Sequence, residues 1–142
     1  MNLNRQIPPP ICPLSDIHVT YPESQRLKNG IPLHVIRAGM EDVVRFDLLI
    51  GGGQWHQTQA LQAMFTNRML REGTSSLTSQ QIAEKLDYYG AMMELSSSVN
   101  CGFITLYSLN KYFPQTIELV ADMLMNPTFP EKEMEVVVEV NK

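Results

Sequence analysis

The stretch VVRFDLLIGGGQWHQTQALQAMFTNRMLREGT, residues 43–74, changes period halfway along. Its first residues put Val44, Phe46 and Leu48 on one side of an extended chain, the period-two pattern of a half-buried strand over residues 43–50. Gly51, Gly52 and Gly53 then break the pattern. From Thr58 the period becomes helical, with Leu61, Met64, Phe65 and Met69 in one apolar stripe at i, i+3, i+4 and i+8. Gly73 reads as the glycine that ends this helix. Strand, break and helix in close succession predict a chain that mixes both structures in one layer pair.

The same alternation extends outward. Upstream, Asn29-Gly30 suits a two-residue type I′ hairpin, because both residues tolerate positive φ. A strand follows in which Ile31, Leu33 and Val35 alternate with Pro32, His34 and Ile36, and residues 38–42 form a turn. Downstream, Thr78 and Gln81 form a capping box for a second helix, with Ile82, Ala83, Leu86 and Tyr89 buried and Gly90 closing it. Two short strands are expected over Met92–Ser97 and Phe103–Leu109. Pro114 opens a third helix, where its missing N–H costs nothing, with Ile117, Val120, Ala121, Leu124 and Met125 inward. Asn126-Pro127 stops it, and Pro130 opens a fourth helix with Glu131 and Glu133 near its positive end. That helix reaches Lys142 without a C-cap, so the chain is expected to be truncated at its C-terminal side. Residues 1–22 hold five of the nine prolines and are expected to form an irregular arm, with the domain over residues 23–142.

Composition excludes several function classes. The chain has 142 residues, 11 basic and 15 acidic, for a net charge of −4 and a pI near 5.3. That is the wrong balance for a nucleic-acid binder or a polybasic membrane anchor. No apolar run approaches the roughly 18 residues that span a bilayer. The first residues lack an apolar signal region, so a cytoplasmic location is expected, with Cys12 and Cys101 as reduced thiols. His18, His34 and His56 are isolated from one another and from carboxylates at helical spacing, so none is expected to bind metal. No Gly-Lys-Ser/Thr follows the triple glycine, which reads instead as a hinge or a close backbone approach. Ser96-Ser97-Ser98 has no nucleophile elbow around it and reads as the polar end of a strand.

An ordered set of segments carries a resemblance. It comprises Asn29-Gly30, Met69-Leu70-Arg71-Glu72-Gly73-Thr74, the capped helix from Ile82 to Gly90, and the segment from Leu119 to Pro127 with Phe129. Together they resemble the start of an M16 metallopeptidase domain, the family of pitrilysin, insulinase and the mitochondrial processing peptidase. The resemblance implies an α+β half-domain: a largely antiparallel sheet with helices packed on one face. It also implies an inverted zinc motif, His-x-x-Glu-His, just before Met-Leu-x-x-Gly-Thr. Here those five positions read Met64-Phe65-Thr66-Asn67-Arg68. The ligand positions are thus Met64 and Arg68, and the general-base position is Asn67.

Ligand chemistry argues against zinc at those positions. They stand at i, i+3 and i+4, on one helix face. Arg68 stays protonated and offers only donors. Met64 is a soft thioether donor. Asn67 has no titratable oxygen, so it cannot take a proton from water. The family's third ligand, a glutamate in the helix after Asn-Pro, aligns with Glu139 or Val140; Glu139 is at best a relic, on an acidic helix that also carries Glu135. No cofactor is therefore expected in this chain, although the family uses zinc. The resemblance further implies that an extended peptide adds to an edge strand inside a chamber of two halves; the matching strand holds Met93, Glu94, Leu95, Ser96 and Ser97. Where the family has Asn-Ala, this chain has Glu94-Leu95. The expected function is a non-catalytic subunit that completes such a chamber with a catalytic sibling or second half-domain. Two alternatives are a zinc peptidase whose metal site lies in another segment or partner chain, and a purely structural assembly domain.

Overall fold

The computed structural model describes residues 8, 11 and 17–140. Most of the proline-rich segment expected to form an arm, Cys12 included, lies outside the described residues, as do the last two positions. The chain divides into two compact units, residues 1–40 and 41–142.

The first unit is a hairpin of β1 (Glu23–Arg26) and β2 (Pro32–Val35), paired antiparallel with Arg26 opposite Pro32. Its turn is not the two-residue type I′ form. The Gly30 N–H donates to the Leu27 carbonyl and the Leu27 N–H to the Ile31 carbonyl, each at 2.9 Å. Gly30 alone takes positive φ, at +86°. Asn29 instead accepts the Ile31 N–H on its side-chain oxygen at 3.2 Å. That is the three-residue loop in which an ordinary turn is followed by a left-handed glycine. The Asn29 side chain selects it by bonding its own backbone two residues on.

The second unit holds an antiparallel sheet in the order β3-β5-β4, from β3 (Val43–Gly51), β4 (Met92–Ser97) and β5 (Cys101–Leu109). The expected strands are present, and β5 starts two residues earlier than predicted. Val44, Phe46 and Leu48 are half-buried and their neighbours exposed along β3, as the alternation requires. Four helices accompany the sheet: α1 (Gln62–Met69), α2 (Ser79–Tyr88), α3 (Phe113–Met125) and α4 (Glu131–Val140). One core joins Leu70, Ile82, Leu119, Val120 and Met123 from the helical side to Ile104 and Leu106 of β5. Phe46, Leu48, Met93 and Leu95 pack against it from the flanking strands, so the helices cover a single sheet face.

The close approach expected at the triple glycine falls on Gly53. A Cβ there would collide with the Ser98 carbonyl oxygen. The same contact lets the Gln54 and Trp55 N–H groups donate to Ser98 and Val99 at 3.0 and 2.8 Å. The β4–β5 turn is thereby tied to the chain entering α1.

Three helix readings need correction. Helix α1 begins four residues later than Thr58, and Leu61 precedes it with a left-handed φ of +66° and 55% exposure. Its buried residues are Asn67 and Met69, not the full expected stripe. Gly73 does not cap it; it pairs with Thr78 in an isolated bridge and lies close to Thr128. In α2 the capping box is present, and Ile82, Leu86 and Tyr89 face inward, but Ala83 is exposed. In α3 the buried stripe is Thr116, Leu119, Val120 and Met123, which leaves Ala121 and Met125 exposed. Thr116 sets that phase: its hydroxyl donates to Ser108 Oγ at 3.0 Å, so a polar residue is satisfied inside the core. Among the described residues no helix is long and apolar enough to cross a membrane.

Candidate functional site

Helix α1 lies against β4, the strand at one edge of the three-stranded sheet. This packing gathers most of the residues marked by the sequence. Two clefts lie beside β4. The first, about 670 Å³, is lined by Arg68, Arg71 and Glu72 from the end of α1, by Met93, Glu94 and Leu95, and by Val136, Val137 and Val140 of α4. The second, about 410 Å³, lies toward Gln54 and Gln57 and is walled by Leu61, Met64, Arg68, Leu95, Ser96 and Ser97. Met64 and Arg68, the two ligand positions of the resembled motif, therefore line one cleft together with the expected edge strand. Glu139 lines neither; it is exposed on α4, and its neighbour Val140 faces the first cleft.

Asn67 does something else. It is only 6% exposed, and it lines neither cleft. Its Nδ2 donates to the Ser96 carbonyl and, at 3.1 Å, to the Phe103 carbonyl, residues that face each other across β4 and β5. The carboxamide packs over Gly102, where a Cβ would lie at an ordinary contact distance of 3.8 Å. Two main-chain acceptors require a donor at this spot. A carboxylate would set like partial charges together in a desolvated place. Sequence reasoning put Asn67 on one helix face with Met64 and Arg68 and gave no sign of its burial, which left no trace in the apolar pattern because its acceptors lie 29 and 36 positions along the chain.

The metal test follows from these donors. A thioether, a guanidinium and a carboxamide engaged with carbonyls do not make a zinc site with a general base. Among the described residues no three of His, Cys, Asp or Glu come together. Cys101, a free thiol on β5, is half-buried.

A separate polar cluster holds the segment between α1 and α2. Thr74 Oγ1 donates to Asp122 of α3 at 2.7 Å and accepts the Leu77 N–H at 3.0 Å. Ser76 Oγ and Asn126 Nδ2 also donate to Asp122, each at 2.8 Å. These bonds, Thr74 foremost, hold the Asp122 carboxyl below its ordinary range. On the sheet face away from the helices, Arg45 pairs with Asp47 at 2.9 Å. Burial there pushes Asp47 up, but bonds from Thr105 and Arg45 outweigh it and leave the carboxyl lowered. Both clusters act as scaffold, since neither borders the clefts.

Known proteins resemble this chain in sequence and fold. A family model described as insulinase, peptidase family M16, matches residues 35–142. An uncharacterized zinc protease, YmxG, of Bacillus subtilis (strain 168) is 27% identical over 109 residues, which is 75% of this chain and 27% of that protein. The crystal structure of a peptidase M16 inactive domain from Pseudomonas fluorescens superposes with a TM-score of 0.76 at 21% identity, over 82% of this chain and 29% of that one. A protease from Helicobacter pylori gives 0.71 at 18% identity, with the same coverage. The chain thus spans between a quarter and a third of the length of these relatives.

Proposed function

Because the chain belongs to peptidase family M16, the insulinase family, we propose that it is a non-catalytic member that holds an extended peptide along β4 and completes a chamber with a catalytic sibling or second half-domain. One observation carries this reading. At the position of the family's general base, Asn67 spends its donors on the carbonyls of β4 and β5. The residue serves the strand that would receive a peptide and has no basic oxygen with which to take a proton from water. The clefts that remain beside Met93, Glu94, Leu95, Ser96 and Ser97 offer binding surface without hydrolytic chemistry. Strand addition relies on main-chain groups, so it outlasts the loss of metal ligands. The Pseudomonas fluorescens neighbour, described as an inactive domain, supports the same direction.

The test is elemental analysis of the chain after equilibration with zinc, together with a peptide-cleavage assay and a titration of fluorescent peptides. The expected result is no stoichiometric zinc, no cleavage and saturable binding. One zinc per chain with chelator-sensitive cleavage would overturn the reading. A second reading draws on the zinc-protease name of the Bacillus subtilis relative, which is far longer than this chain. In it, the metal site belongs to another segment of a longer protein. Zinc present in the full-length protein and absent from this chain would favour that alternative.

A further inference from the structure

From the second cleft we infer that the former metal position is a carboxylate subsite, selecting peptides with an internal Asp or Glu. This inference rests on the peptide-holding reading above. The second cleft has one charged lining residue, Arg68, and no acidic one. Around it stand polar groups suited to an anion: the carboxamides of Gln54 and Gln57 and the hydroxyl of Ser97, which shares a strand face with Leu95. Where a metallopeptidase holds a divalent cation, this chain keeps a fixed positive charge. A guanidinium binds a carboxylate through charge-assisted, often bidentate bonds. Arg68 also has a partner within the fold. Its five N–H donors leave capacity for a second.

The two clefts lie in series. They share Arg68 and Leu95 and are displaced by two residues along β4, from Met93–Leu95 to Leu95–Ser97. Two residues of an extended chain advance about 6.6–6.8 Å and return the side chain to the same face. A peptide with an acidic side chain in the second cleft therefore directs the side chain two positions away into the first. There Val136, Val140, Met93 and Leu95 form an apolar wall. In that cleft Arg68 and Arg71 are matched by Glu72 and Glu94, two charges of each sign, so the first cleft has no net preference for an anion. Because the chain continues through both clefts, the selected carboxylate belongs to a side chain and not to the peptide's end.

Fluorescence polarisation tests this with labelled peptides that differ only in one residue, Glu or Gln, two positions from a leucine. A third peptide carries Gln and a free C-terminal carboxylate, where the others are amidated. The Glu peptide is expected to bind about tenfold more tightly than the Gln peptide, with an advantage that shrinks in high salt. Arg68→Gln is expected to bind the Glu and Gln peptides equally; Arg68→Lys keeps part of the difference. Thermal melts of both variants confirm that they fold. Equal binding of Glu and Gln peptides by the wild-type chain would overturn the carboxylate subsite and leave strand addition standing. Tight binding of only the free-carboxylate peptide would replace the side chain with a terminus and overturn the inference as stated. Failure of every peptide to bind would overturn the peptide-holding reading itself.

Discussion

Helices α1 and α2 are of similar length, yet they are held in different ways. Helix α2 is specified at both ends by its own residues. Thr78 and Gln81 exchange side-chain bonds with each other's backbone at its start. At its end the Ala91 N–H reaches the Leu86 carbonyl at 2.9 Å and the Gly90 N–H reaches Asp87 at 3.0 Å, with Gly90 at φ +59°. That is a Schellman closure, complete within the helix's own sequence. Helix α1 has no such start: Leu61 sits before it in a left-handed conformation and makes no side-chain cap. The Gln57 side chain, six residues upstream of Ala63, supplies one acceptor at 3.4 Å. What fixes α1 is tertiary, namely Asn67 on two strands and the buried Met69. The scaffold helix is local in origin, and the helix that carries the site borrows its position from the sheet.

The contrast can be broken most severely at Asn67. Asn67→Asp should cost about 3 kcal/mol at neutral pH, because a buried carboxylate would face two carbonyls. Protonation turns that group into a donor, so its pKa in the folded state is raised. Its penalty relative to the wild type should therefore shrink as pH falls toward 4, read by urea unfolding at two pH values. A loss below 1 kcal/mol at pH 7 would mean that α1 is not anchored through this residue. Gly90→Ala should cost about 1–2 kcal/mol, since alanine resists the left-handed closure of α2. Thr78→Ala should cost about 1 kcal/mol by removing the cap. Both should leave peptide binding unchanged, and a change in it would tie α2 to the site. Leu61→Gly should act the other way and raise stability by about 0.5–1 kcal/mol, because glycine accepts the conformation that leucine strains to adopt. A lower melting temperature for this variant would show that Leu61 contributes more through packing than it loses in strain.

The smallest expected effect concerns the link between the two helices. Asp122 has a lowered pKa in the folded chain, so its contribution is present above the unfolded value near 3.8 and is lost as pH falls through the folded one. Asp122→Asn should lower stability slightly above about pH 4 and leave it unchanged at lower pH, which flattens the acid limb of the profile; the loss is small because solvent screens the group.

Much of this fold is legible without coordinates. The alternation at Val44, Phe46 and Leu48, the capping box at Thr78, the glycine at position 90 and the proline at 114 each act within a few residues. They locate strands and helices accordingly. The reading failed where a polar residue is buried. Thr116 and Asn67 look like surface positions in a hydropathy pattern. Each is buried because its partners arrive from another element: Ser108 on β5 for Thr116, and the Ser96 and Phe103 carbonyls for Asn67. The stripe of α3 was displaced for that reason, and the inward face of α1 was misassigned.

The candidate site divides in the same way. The motif positions Met64, Asn67 and Arg68 and the strand from Met93 to Ser97 are visible in the sequence, because residue types decide whether a metal and a general base can exist there. Only the tertiary structure separates the three, turning Asn67 into the sheet and leaving Met64 and Arg68 along a cleft beside β4. Side-chain chemistry is a property of each residue alone. Which groups share a space depends on packing between segments far apart in the chain, and no local pattern encodes it.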